Sequence, residues 1–140
     1  RAKLAAFGFT SLIGSPFKPR GTPDYLAPEI LEYANTESKD GATTFQPSID
    51  MWAFGCMVYE MLDGNTPFYP IGYDHLSGDE LNKKMFRNII NMNMNVSINI
   101  DFKTKEFIKN FIIADPKKRM TSEQALNHPW ITGTIFEDIV

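Results

Sequence analysis

Gly21-Thr22-Pro23-Asp24-Tyr25-Leu26-Ala27-Pro28-Glu29 is the stretch on which the reading of this chain turns. Ala27 and Pro28 hold a tight turn, because Pro28 has a fixed φ and no amide N–H to offer. An acid follows at once, at Glu29.

Working outward from that run, residues 1–9 read as a short buried strand entering a Gly turn. Residues 10–20 have loop composition, with Ser, Gly, two Pro and two basic residues. On the other side a short helix is expected to about Ala34. Asn35 to Thr44 carries almost nothing apolar and reads as an exposed insertion. Ser48 is a suitable N-cap for the helix that follows. From Met51 to Leu62 only Gly55 and Glu60 interrupt the apolar residues. A helix hydrophobic all round belongs at the centre of a domain. Asp63-Gly64-Asn65 stops it, with Gly64 suited to a left-handed cap.

A second polar loop is expected from Pro70 to Gly78. Ser77 and Glu80 form a capping box for a helix whose Leu81, Met85 and Ile89 share one face. Another helix is predicted over Lys103–Ala114, with Phe107, Ile108, Phe111 and Ile112 as its apolar stripe. Thr121 and Gln124 open a further helix that ends before Pro129, and Asn91 to Asn99 reads as a loop. These elements make a mainly α-helical unit of five or six helices, one domain without internal repeat, built around one central buried helix.

Composition narrows the function classes. The 140 residues are 43% apolar and 22% charged, enough for a core of their own. A net charge of −3 leaves no electrostatic footprint for nucleic acid or an anionic membrane. The longest apolar run is too short to cross a bilayer. Cys56 is the single cysteine and lies in that run, where it acts as a small hydrophobe. This points to a reducing, intracellular and cytoplasmic setting. His75 and His128 have no metal-ligand company and read as surface or capping residues. The first residue is Arg1 rather than Met, which suggests a fragment, a processed chain or an incomplete gene model.

Four separated signatures then agree: Gly21 to Leu31; Asp50-Met51-Trp52-Ala53-Phe54-Gly55, continuing through Tyr59-Glu60-Met61 to Gly64 and Pro67-Phe68; Asp115-Pro116-Lys117-Lys118-Arg119; and His128-Pro129-Trp130-Ile131. In this order and spacing the chain resembles the C-terminal lobe of a eukaryotic protein serine/threonine kinase, closest to the groups that phosphorylate sites near basic residues. The resemblance implies a partial kinase domain over 1–140. Residues 1–31 would be the activation segment and 32–140 the helical lobe, with insertions near 35–45 and 70–78. It implies substrate binding by Gly21, Thr22, Pro23, Asp24 and Glu60. Thr22 would bond the catalytic Asp and help place the substrate hydroxyl, the alternative being a plain turn residue. Glu60 would contact a substrate Arg, the alternative being a structural hydrogen bond. Structural roles are implied for Glu29, paired with Arg119 across the chain, and for Trp52. Asp50 would hold the catalytic-loop backbone; alternatively it complements the helix dipole.

Ala6-Phe7-Gly8 departs from the family pattern. It stands where the family has Asp-Phe-Gly, whose Asp holds Mg²⁺. The resemblance implies ATP and Mg²⁺ for a complete member, but alanine supplies no oxygen and this chain alone is expected to bind neither. No Gly-rich phosphate loop, strand Lys or His-Arg-Asp loop occurs in the 140 residues, so the chain by itself is expected to be inactive. Lys18 stands where many relatives carry a phosphorylated Thr, leaving Thr10, Ser11 and Ser15 as candidate phosphorylation sites. The expected partners are a protein substrate and the missing N-terminal lobe, or a partner chain, covering the central helix. Without that cover the isolated chain is expected to aggregate or be molten. Two readings follow: part of a working kinase, or a non-catalytic pseudokinase module.

Overall fold

Helix α2, Pro47–Asp63, is the axis of the molecule. The computed structural model describes residues 2–16, 20–35 and 44–133. Lys18 and most of the insertion near 35–45 lie outside them. The N-cap of α2 is Gln46 in an extended conformation with Pro47 at the first helical position, not Ser48. Proline takes that position readily, since its missing N–H would be unpaired there anyway. Gly64 ends the helix, its N–H bonding the Glu60 carbonyl at 2.8 Å.

Trp52, Gly55, Cys56, Val58 and Tyr59 are buried along α2. The helix is not covered all round: Met57 and Leu62 are exposed, and Met61 is 68% exposed. Gly55 is where the helix meets the next layer. A Cβ there would lie 2.7 Å from Phe111 Cβ and 3.1 Å from Ile112 Cγ1. Only a residue without a side chain allows that approach.

Two shorter helices build the core on one side. α1 is Pro28–Asn35, and α3, Gly78–Ile90, opens on a complete capping box between Ser77 and Glu80. Ile30 and Leu31 of α1 join Trp52, Cys56 and Tyr59 of α2 and Met85 and Ile89 of α3 in one buried cluster. Phe68, just after α2, stacks on Trp52 with centroids 5.5 Å apart.

On the other side, α4 spans Phe102–Lys109 and is capped by Asp101. The sequence pattern carried this helix on to Ala114. Asn110 stops it sooner, because its side-chain amide donates to the Glu106 and Phe107 carbonyls and competes with the next helical turn. The chain then turns so that Phe111 and Ile112 still point inward and are buried. α5, Ser122–Leu126, begins at the Thr121–Gln124 capping box. A further helix, α6 at Pro129–Thr132, follows where the sequence reading saw an end. His128 Nδ1 caps it, and Trp130 stacks on Phe107 at 4.4 Å while donating its indole N–H to Thr104 Oγ1.

The strand expected over residues 1–9 is absent from the described residues 2–9. Ala6 has left-handed backbone angles, φ 58 and ψ 57, and Phe7–Phe9 form a 3₁₀ turn. A strand needs a neighbour for its backbone bonds, and the described residues give only one isolated bridge, Pro16 to Thr44. Leu4, Phe7 and Phe9 are exposed. Beside them an apolar groove of about 950 Å³ runs past Phe54 and Met57 of α2 to Leu126 and Ile131. No helix among the described residues is long and apolar enough to cross a membrane.

Candidate functional site

The informative run folds as a turn entering a helix. Gly21 has φ 116, a conformation that favours glycine, and Pro23–Tyr25 form a 3₁₀ turn closed by the Tyr25 N–H on the Thr22 carbonyl. Thr22 is extended, exposed at the turn's N-terminus, and its hydroxyl caps nothing. Ala27 is fully buried, and Pro28 begins α1.

Two half-buried acids sit at this turn. Asp24 Oδ1 accepts a hydrogen bond from Thr66 Oγ1 at 3.2 Å. Glu60 Oε2, one turn before the end of α2, accepts from the Tyr25 hydroxyl. The bond to Glu60 is the main reason the Tyr25 phenol is pushed up to about 12, with burial and the charges of Glu60 and Asp24 adding to it. Both acids also raise the Cys56 thiol, whose value of about 12 comes chiefly from burial. The two carboxylates therefore act on the same neighbours. Among the described residues neither forms an ion pair, and Asp24 Oδ2 and Glu60 Oε1 accept no hydrogen bond.

Beneath the turn lies the Arg119–Glu29 pair. Arg119 is 5% exposed, and its two terminal nitrogens each meet one Glu29 oxygen at 2.7 Å. Its remaining N–H groups donate to the carbonyls of Ile113 at 2.8 Å, Ser48 at 3.0 Å and Ala114 at 3.2 Å. All five donors of the fork are used. The guanidinium also lies 5.1 Å from the centre of the Trp52 ring. Trp52 is fully buried, and its indole N–H has no partner among the described residues.

A cavity of about 460 Å³ joins the turn to the N-terminal segment and α2, lined by Ala6, Thr10, Ser11, Gly21, Thr22, Tyr25 and Asp50, among others. Asp50 is exposed in the first turn of α2 and engages no hydrogen-bond partner among the described residues. Thr10 is exposed, Ser11 half-buried, and the Ser15 hydroxyl donates to the Leu12 carbonyl at 2.7 Å. Ala6 contributes only a methyl group. No group of three or more His, Cys, Asp or Glu converges among the described residues.

The arrangement thus ties Asp24 to Thr66 and Glu60 to Tyr25 of the turn, puts Thr22 on the cavity that Asp50 also lines, and locks Glu29 to Arg119. The sequence had not marked Tyr25 or Thr66. Tyr25 lies in the quoted run, but nothing there points to its partner Glu60, 35 residues away. Thr66, between the α2 stop and Pro67, carries no sequence signal of its partner, which is 42 residues away.

The family model for the protein kinase domain matches residues 1–131. The chain is 36% identical over 142 residues to calcium/calmodulin-dependent protein kinase type IV of Mus musculus, covering 94% of this chain and 26% of that protein. It is 32% identical over 145 residues to serine/threonine-protein kinase 17A of Oryctolagus cuniculus, covering 99% and 32% respectively. Among solved structures it superposes on the twitchin kinase region from C. elegans with a TM-score of 0.61 and 28% identity, over 82% of this chain and 18% of that one. The chain therefore spans about a quarter to a third of the curated relatives it matches.

Proposed function

The chain belongs to the protein kinase domain family, and on that premise we propose that it is the substrate-docking and scaffold part of a serine/threonine kinase. The parent protein would transfer the γ-phosphoryl group of ATP to Ser or Thr of protein substrates, preferring acceptors near a basic residue. One observation carries this reading. Asp24 and Glu60 are half-buried carboxylates that both act on Tyr25 and Cys56, each with one oxygen accepting from a hydroxyl and the other without a hydrogen bond, and neither has a cation among the described residues. Partly desolvated like charges are costly unless a cation joins them. A substrate guanidinium supplies that cation with donors for both acids.

Thr22, exposed at the head of the same turn, is in this reading the group that helps position the acceptor hydroxyl. The Glu29–Arg119 pair fixes the turn to the lobe beneath it. The described residues do not fit Mg²⁺, since Ala6 offers no oxygen and no acids converge. The ATP site and the base would come from other parts of the parent protein, which would also cover the apolar groove beside α2. Phosphorylation of peptide arrays by the full-length protein tests the proposal. Arg before the acceptor is expected to raise incorporation, and indifference to it would reject the acidic groove.

A second reading, a pseudokinase module that acts by protein contacts, is favoured by Ala6. Thermal shift of the full-length protein with ATP and Mg²⁺ separates the two. Stabilisation by the pair supports the enzyme, and none supports the module.

A further inference from the structure

We infer that Thr66 is a positioning residue that sets how the docking turn presents Asp24 to a basic substrate group; this rests on the acidic-groove reading above. Thr66 is 4% exposed, so its hydroxyl is a donor held inside the protein rather than a mobile surface group. It reaches Asp24 Oδ1 at 3.2 Å and so turns that oxygen inward, leaving Oδ2 as the one free to face a ligand.

The segment carrying Thr66 is itself tied down by hydrogen bonds and ring stacking. The Thr66 carbonyl accepts from the Tyr69 N–H at 3.2 Å, and the Phe68 ring stacks on Trp52. Asn88 of α3 donates to the Phe68 carbonyl at 3.1 Å. Asn95 donates its side-chain amide to the Tyr69 carbonyl at 2.9 Å and its backbone N–H to the Pro67 carbonyl at 2.7 Å. The docking turn, by contrast, is one short 3₁₀ turn at the surface. A carboxylate on a short surface turn samples several rotamers. A bond from a fixed, buried hydroxyl selects one, and hydrogen bonds to charged groups are among the stronger ones. Binding then loses less side-chain freedom when the substrate cation arrives.

The test uses the full-length protein and two peptides that differ only in Arg or the neutral isostere citrulline before the acceptor Ser, with affinity read by fluorescence anisotropy. The unaltered protein is expected to prefer Arg. Thr66→Val, which keeps the shape and removes the hydroxyl, is expected to cut the Arg-over-citrulline ratio about tenfold, the scale of one hydrogen bond to a charged group. The citrulline affinity should stay the same, and Thr66→Ser should restore the ratio. If Thr66→Val does not fold, Thr66→Ala gives the same reading without the branched side chain. A ratio unchanged in the folded variant overturns the role of Thr66 and leaves the groove standing. No Arg preference in the unaltered protein overturns both.

Discussion

Glu29→Ala is the sharpest perturbation available in this fold, because of what it leaves behind. Arg119 would stay buried with its charge and with two N–H groups that now meet Glu29 at 2.7 Å. Its other three donors, to Ile113, Ser48 and Ala114, hold the side chain in place, so it cannot swing out to water. Each hydrogen bond to a charged group is worth about 1.5–3 kcal/mol, and stranding one partner of a buried pair costs about 3–5 kcal/mol. The Glu29 side chain is 18% exposed against 0% for Arg119, so water can partly enter the gap. That sets the expectation at the low end, about 3 kcal/mol. Urea unfolding of the full-length protein, followed by tryptophan fluorescence, measures it, since Trp52 lies 5.1 Å from the guanidinium. The midpoint should fall with the slope unchanged. Arg119→Ala added to Glu29→Ala should cost much less than it does alone, with a coupling above about 1.5 kcal/mol. A loss below about 1 kcal/mol, or additive single changes, would refute the reasoning.

Two further outcomes follow from the packing and the ionisation of the site. Gly55→Ala gains helix propensity of about 1 kcal/mol. It also drives a Cβ to within 2.7 Å of Phe111 Cβ, which cannot rotate away, so net destabilisation of about 1–3 kcal/mol is expected by the same unfolding measurement; equal or greater stability would contradict the close approach. The Tyr25 phenol is raised from 10.0 to about 12, so the folded chain holds this proton more tightly than the unfolded one. Its contribution to stability is whole below pH 10 and is lost as the pH rises through about 12. Glu60→Ala removes the acceptor and its charge, the largest cause among them, and should bring the Tyr25 ionisation down in an ultraviolet titration, leaving Tyr59, raised mainly by burial, near about 12. An unmoved Tyr25 would disprove the pairing with Glu60.

Local rules in the chain were enough for a good part of this architecture. The capping boxes at Ser77–Glu80 and Thr121–Gln124 form between residues three apart, so the sequence contains both partners of each. The apolar run from Met51 to Leu62 also marked the central helix, whose Trp52, Gly55, Cys56, Val58 and Tyr59 are buried while Met57, Met61 and Leu62 are exposed. The sequence misled where a local feature met a competing one. Ser48 is a good cap, but Pro47 before it claims the first helical position. The apolar stripe beyond Lys109 is real, but Asn110 bonds back to the helix and ends it. The N-terminal strand failed for want of a neighbour to pair with.

The site divides in the same way. By itself the sequence determined the family, through four motifs in order, and singled out the Gly21–Glu29 run, the two acids and Ala6. Those are matters of residue type and spacing along the chain. Only the tertiary structure decided which groups meet. It brought Glu29 and Arg119 into a two-pronged contact across 90 residues, aimed Tyr25 at Glu60, and set a buried Thr66 under Asp24. Such contacts depend on how helices cross and loops close, and no rule of spacing along the chain contains that geometry.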